Sequence, residues 1–99
     1  MTLRFGRHAI QDLEEARDHY ERITEELADG FVADLDRVVE RMQMFPNGAP
    51  PVEGFPGVRR ARMRRFPSGV FYRVLEPDTI EVLRIVHAAR DGSGSGDEP

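Results

Sequence analysis

Cysteine is absent from this 99-residue chain. That excludes disulfides, thiolate metal sites and thiol nucleophiles, and it fits a reducing compartment. Lysine is absent too, so all 14 basic residues are arginine. Two readings of this are compatible: Arg-biased codon usage in a GC-rich genome, and a need for fork-shaped, bidentate recognition of anions. No apolar run reaches the roughly 18 residues of a membrane-spanning helix. The opening Met1-Thr2-Leu3-Arg4-Phe5 lacks the apolar stretch of a secretory leader. A cytoplasmic protein without membrane contact is expected. There is no phosphate-binding loop or dinucleotide fingerprint. No Ser/His/Asp order suggests acyl transfer, and nothing marks Ser68, in a turn, as activated. The pairs His8/Asp12 and Glu15/His19 have i, i+4 spacing but no third ligand nearby, so neither a metal nor a cofactor is expected.

What is present is distributed unevenly. The length is that of one domain with one modest core. The formal net charge is −4, yet residues 1–54 carry 6 arginines against 12 acids while residues 55–99 carry 8 against 6. Residues 57–75 hold six arginines (59, 60, 62, 64, 65 and 73) and no acid. A run of strand-forming residues studded with guanidinium groups is a surface for anions, either phosphates or a partner's carboxylates.

The periodicity predicts the elements. Leu3–Phe5 forms a short strand. Ile10, Leu13, Ala16, Tyr20 and Ile23 then form a helical stripe. Thr24 offers an N-cap, with Glu25 and Glu26 favourable in the first turn that follows. Leu27, Phe31, Leu35, Val38, Met42 and Phe45 make a second stripe, which Pro46-Asn47-Gly48 ends. Three prolines and two glycines make 49–57 a connector. Strands follow at Val58–Phe66, Val70–Glu76 and Thr79–His87, joined by tight turns at Pro67-Ser68-Gly69 and Pro77-Asp78. The order β-α-α-β-β-β gives an α+β fold, a helical hairpin packed on one face of an antiparallel sheet. The domain spans residues 1–91, and 92–99 form a flexible Gly/Ser tail.

Alternation sorts the strand residues. Arg60, Arg62 and Arg64 share one face, and Arg59, Ala61, Met63 and Arg65 the other. Phe71, Arg73 and Leu75 oppose Val70, Tyr72 and Val74. Val82, Arg84 and Val86 oppose Leu83, Ile85 and His87. Arginines on the open face are placed to converge into a patch.

Several short motifs follow one another along the chain. They are Ala9-x-x-Asp12-Leu13, Tyr20 closing the first helix, Phe31-x-x-x-Leu35, and Phe45-Pro46-x-x-Gly48. Val58-Arg59-Arg60 and Arg65-Phe66-Pro67-x-Gly69-Val70-x-Tyr72-Arg73-Val74 follow. The last is Ile80-x-Val82-Leu83-x-Ile85-x-His87-x-x-Arg90-Asp91. Together they resemble the ParE/RelE superfamily of bacterial type II toxins over Leu3 to Asp91. The superfamily contains two chemistries. The RelE branch cuts messenger RNA on the ribosome, and this chain has Gly69 where that branch places an arginine after the turn. It also has no aromatic after Arg90, where Asp91 and a Gly/Ser run at 92–96 follow. The segment Phe66–Val74 is similar instead to the ParE branch, whose members inhibit DNA gyrase by binding it, without turnover.

The resemblance implies the toxin of a toxin–antitoxin system with a part in plasmid stabilisation. Its partner would be a cognate antitoxin, a small acidic DNA-binding protein. That antitoxin would form a hetero-oligomer with it by wrapping it in a segment that orders on binding. Operator DNA would be met only through the antitoxin, and DNA gyrase would be the target. The surfaces implied for target and antitoxin use Arg59, Arg60, Arg62, Arg64, Arg65, Arg73, Arg84, His87 and Arg90. No catalytic residue is implied on the gyrase reading. On the alternative, ribosome-dependent mRNA cleavage, the set is Arg60, Arg62, Arg73, His87 and Arg90, with His87 as general acid or base. A third reading is an attenuated homologue that only binds its antitoxin. Independent nucleic-acid binding is disfavoured by the acidic balance and by the lack of stacking aromatics beyond Phe71 and Tyr72.

Overall fold

The elements run β1 (Thr2–Phe5), α1 (Arg7–Glu21), α2 (Glu25–Met44), β2 (Val58–Arg62), β3 (Ser68–Leu75) and β4 (Thr79–His87). The computed structural model describes residues 1–88, so Arg90, the domain end at Asp91 and the tail at 92–99 lie outside the described residues. The two helices pack on one face of a four-stranded sheet ordered β1-β4-β3-β2. This is the expected two-layer α+β architecture. The meander β2-β3-β4 is antiparallel, but β1 runs parallel to β4, from Thr2 opposite Thr79 to Phe5 opposite Val82. The sheet is therefore mixed. Strand alternation carries no information about this, because the helical hairpin between β1 and the meander decides which way the first strand returns.

In α2 the stripe behaves as its spacing predicts. Thr24 Oγ1 accepts the Leu27 N–H at 3.0 Å, and Glu25 and Glu26 occupy the first turn. Phe31, Leu35, Val38 and Met42 are buried, whereas Leu27, in the first turn, and Phe45, just past the last residue of the helix, are exposed. The stripe of α1 is corrected at both ends. Ala9 is wholly buried while Ile10 and Ile23 are exposed. Ala9, Leu13, Ala16 and Tyr20 advance by steps of four, three and four, close to the 3.6-residue repeat, whereas steps of three from Ile10 drift off the face. Ile23 falls beyond the helix end at Glu21.

Two strand details also differ from expectation. β2 stops at Arg62 instead of reaching Phe66. The Arg65 N–H leaves the ladder to donate to Asp34 Oδ2 at 2.8 Å, and the Phe66 ring packs against Tyr20 and Phe31 at centroid distances of 5.0 and 5.4 Å. In β4 the register shifts opposite Phe71 and Tyr72, which pair with Arg84 and Val82 and leave Leu83 without a partner. This bulge breaks the alternation, so Val82 and Ile85 are both buried in the core with Val70, Tyr72 and Ile80.

Candidate functional site

One edge of the sheet is β2, and its first half is covered by the chain itself. Val52 N–H bonds to Val58 O at 2.9 Å and Arg60 N–H to Pro50 O at 3.0 Å. Beyond that point a groove of about 640 Å³ runs between β2 and the end of α2. Its apolar lining comes from Met42, Phe45, Ala61, Met63 and Tyr72, and its rim from Arg41, Arg60, Arg62 and Arg64. The Arg41 guanidinium reaches across to the Arg62 carbonyl at 3.3 Å. Burial pushes the Tyr72 phenol above its ordinary pKa, and its O–H donates to Pro46 O at 2.8 Å, fixing the chain where it leaves α2.

The sheet face away from the helices carries a second hollow of about 330 Å³ that shares Arg60, Arg62 and Met63 with the groove. Arg60 lies flat here. Its guanidinium carbon is 5.9 Å from the centre of the Phe71 ring, a cation–π contact. The reason is Gly69, directly beneath the stem. A Cβ at position 69 would sit 3.0 Å from Arg60 Cδ and 3.1 Å from Cγ. Gly69, which stands where the RelE branch has an arginine, thus makes room for Arg60.

The remaining predicted residues are dispersed. Arg73 is tied down on the open face, where Glu81 accepts from Arg4 at 2.8 Å and from Arg73 Nε at 2.8 Å. These hydrogen bonds, Arg4's first and then Arg73's, hold the Glu81 carboxyl below its ordinary range. Arg84 is bidentate on Asp12 of α1, Nε to Oδ2 at 2.7 Å and Nη2 to Oδ1 at 3.0 Å. That hydrogen bonding pushes the Arg84 guanidinium further above its ordinary value. Arg59 donates to Ala49 O at 2.7 Å and so braces the connector. Arg65 is exposed, with its backbone held by Asp34. His87 lines a small hollow with Asp12, Glu15 and His19 of α1, on the helix side of the sheet.

The structure therefore brings Arg60 and Arg62 together with Phe71, and sets Arg62 and Arg64 on the groove. It separates them from His87, and it binds Arg59, Arg73 and Arg84 into the fold. Reasoning from sequence missed Arg41 and Phe45 as groove residues and Glu81 and Asp12 as anchors. Glu81 carried a signal, an acid between Ile80 and Val82 in an apolar strand, which implies a paired carboxylate. Arg41 carried none, because its role depends on where α2 ends beside β2.

Residues 3–92 match the family described as the ParE toxin of the type II toxin–antitoxin system parDE. A solved structure of the chromosomal ParDE toxin–antitoxin system from P. aeruginosa is 34% identical, covers 88% of this chain and 95% of its own, and superposes with a TM-score of 0.75. The toxin–antitoxin complex RelBE2 from Mycobacterium tuberculosis is 28% identical, with 87% and 95% covered and a TM-score of 0.52. No match was found among curated proteins.

Proposed function

The chain belongs to the ParE toxin family of type II toxin–antitoxin systems, and from that premise we propose that it acts in the cytoplasm by binding DNA gyrase without turnover until a cognate antitoxin removes it. The observation that favours binding over catalysis is the separation of His87 from the arginine patch. Cleaving RNA at a 2′-OH needs a base, an acid and cations around one phosphate. Arg60 and Arg62 lie on the open face of the sheet, and His87 lines a hollow against α1 on the other. Around the hollow at Arg60 and Arg62 the described neighbours include Phe66, Pro67, Ser68, Gly69, Phe71 and Val86, none of them a base near neutral pH. What this face offers is positive charge on an apolar and aromatic floor, the chemistry of a protein-binding surface.

The antitoxin is the natural occupant of the 640 Å³ groove. An acid-rich, intrinsically disordered segment would place apolar anchors on Met42, Phe45 and Met63 and set carboxylates against Arg62 and Arg64. Operator DNA would be reached through the antitoxin's own domain. The test is supercoiling of relaxed plasmid by purified gyrase. The toxin should inhibit it, and added antitoxin should restore it. Full supercoiling at a large molar excess of toxin would sink the gyrase target and turn attention to messenger RNA on ribosomes.

A further inference from the structure

The arginine face and the groove, which takes in Phe45, Gly48, Ala49 and Pro50, leave one display unexplained, the tip of the connection between α2 and β2. Residues 44–58 contain no arginine and a single acid, Glu53, whereas residues 59–65 contain five arginines. At its tip Phe55 is 64% exposed and takes no part in the hydrophobic core. Its backbone is braced. Val52 N–H bonds to Val58 O at 2.9 Å, Phe55 N–H to Val52 O at 3.2 Å and Val58 N–H to Phe55 O at 3.1 Å, closing the loop on itself. Gly54 and Gly57 hold φ of +85° and +81°, and a Cβ at either would meet nothing within 4 Å. Glycine is therefore present for backbone conformation and not for space. Pro56 fixes one more torsion between them. Local sequence and hydrogen bonding are spent on holding an aromatic ring out in water.

We infer that this loop is a second contact surface and that Phe55 is an aromatic anchor for the toxin's protein target, not for its antitoxin. The inference rests on the toxin reading and divides the surface by chemistry. An acidic segment gains from Arg60 and Arg62 of β2, whereas residues 50–58 carry no cation and Arg59, at their foot, is turned onto the Ala49 carbonyl at 2.7 Å. A neutral aromatic tip on a rigid support matches an apolar socket in an already folded partner. The backbone that carries the ring has little conformational freedom left to lose on docking, and buried aromatic anchors dominate the energetics of protein interfaces.

The experiment uses the full chain with Phe55→Ala, and follows growth after induction, inhibition of gyrase supercoiling, antitoxin binding by calorimetry, and thermal melting. F55A should need ~10-fold more protein for the same gyrase inhibition. It should relieve growth arrest, bind antitoxin within about twofold of wild type, and melt as wild type does because the ring touches no core. Should F55A lower the melting midpoint, Phe55→Glu repeats the test with a charge in the socket. Wild-type arrest that F55A relieves, with gyrase untouched by either, would support the anchor and sink gyrase as the target. Equal arrest by both proteins would overturn the anchor and leave the toxin reading intact. A ~10-fold loss of antitoxin affinity with full toxicity would also overturn it by moving Phe55 to the antitoxin interface. A wild-type protein that arrests nothing would overturn the toxin reading and the anchor together.

Discussion

Asp12 grips Arg84 with both carboxylate oxygens, at 2.7 Å to Nε and 3.0 Å to Nη2, and the same Oδ2 takes the backbone N–H of Ile85 at 2.9 Å. The geometry follows from the length of β1. That strand pairs with β4 only as far as Val82. Beyond it the edge of β4 would be bare, and a carboxylate from α1 replaces the missing strand. The residues so held, Arg84 and Ile85, follow directly on the bulge at Leu83.

Replacing Asp12 by alanine should lower stability by about 1–2 kcal/mol, because it orphans a backbone N–H as well as a guanidinium. Asp12→Asn keeps an acceptor for Ile85 and should lose about half as much. Urea denaturation of the purified proteins measures both. If D12A changed stability by less than about 0.3 kcal/mol, the contact would rank with ordinary surface ion pairs. Arg84→Ala should likewise register in stability before it registers in binding.

Glu81 sets a pH dependence of known sign. Its folded pKa lies below the ordinary value of 4.5. The stability it contributes is therefore complete above that value and drains away as pH falls through the lower folded value. Glu81→Gln should flatten the acid limb of the stability curve below about pH 4.5 and leave the curve above pH 7 parallel to wild type. Its partners Arg4 and Arg73 are 60% and 49% exposed, so about 1 M salt should shrink the difference. Melting midpoints from pH 3 to pH 8, at low and high salt, give the comparison. An acid limb that is the same in E81Q would remove Glu81 from the account.

Which parts were legible in the sequence follows from what each pattern encodes. The stripe Phe31, Leu35, Val38, Met42 sits mid-helix over the sheet, so helical period alone found it. Ile10 fits the same kind of pattern but sits one residue off the buried face that Ala9 occupies, Leu27 lies in the first turn of α2, and Ile23 and Phe45 lie beyond the helix ends at Glu21 and Met44, which period alone does not mark. In β2, alternation correctly put Arg60 and Arg62 on one face. In β4, one extra residue at Leu83 reversed the alternation, so Val82 and Ile85 share a face that a count of two forbids. The arginine patch was visible as composition. Its focus on Arg60 was not, because that depends on Gly69 lying beneath the stem on the neighbouring strand.

Gly69 is accordingly testable through Arg60. The atoms an added Cβ would meet belong to the Arg60 side chain, at 3.0 and 3.1 Å, and these can move aside. Gly69→Ala should therefore change stability by less than about 1 kcal/mol while lifting Arg60 off Phe71. Arg60→Ala should weaken antitoxin binding by about 2 kcal/mol if Arg60 is central to the interface, and by well under about 1 if it lies on the rim. If G69A acts only through Arg60, the double variant should bind no worse than R60A alone. Calorimetry on the four proteins closes the cycle, and fully additive losses would show that Gly69 has a role of its own.

Asp34 supplies the sharpest test of how the β2–β3 connection is held. The residue is 1% exposed, Oδ2 accepts the Arg65 N–H at 2.8 Å, and Oδ1 has no hydrogen-bond partner among the described residues. Asparagine and alanine separate the charge from the acceptor. Asp34→Ala removes the acceptor, orphans the Arg65 N–H and leaves a small void, for a loss of about 1–3 kcal/mol. Asp34→Asn keeps a carbonyl oxygen for Arg65 and eliminates a poorly solvated charge, so it should lose less than D34A. Amide exchange at Arg65 should follow the same order, with protection kept in D34N and lost in D34A. Equal losses in the two variants would mean that the charge itself holds the connection. A connection released in D34A should also weaken antitoxin binding, because Arg64, on the rim of the groove, is carried by the residues that Asp34 pins.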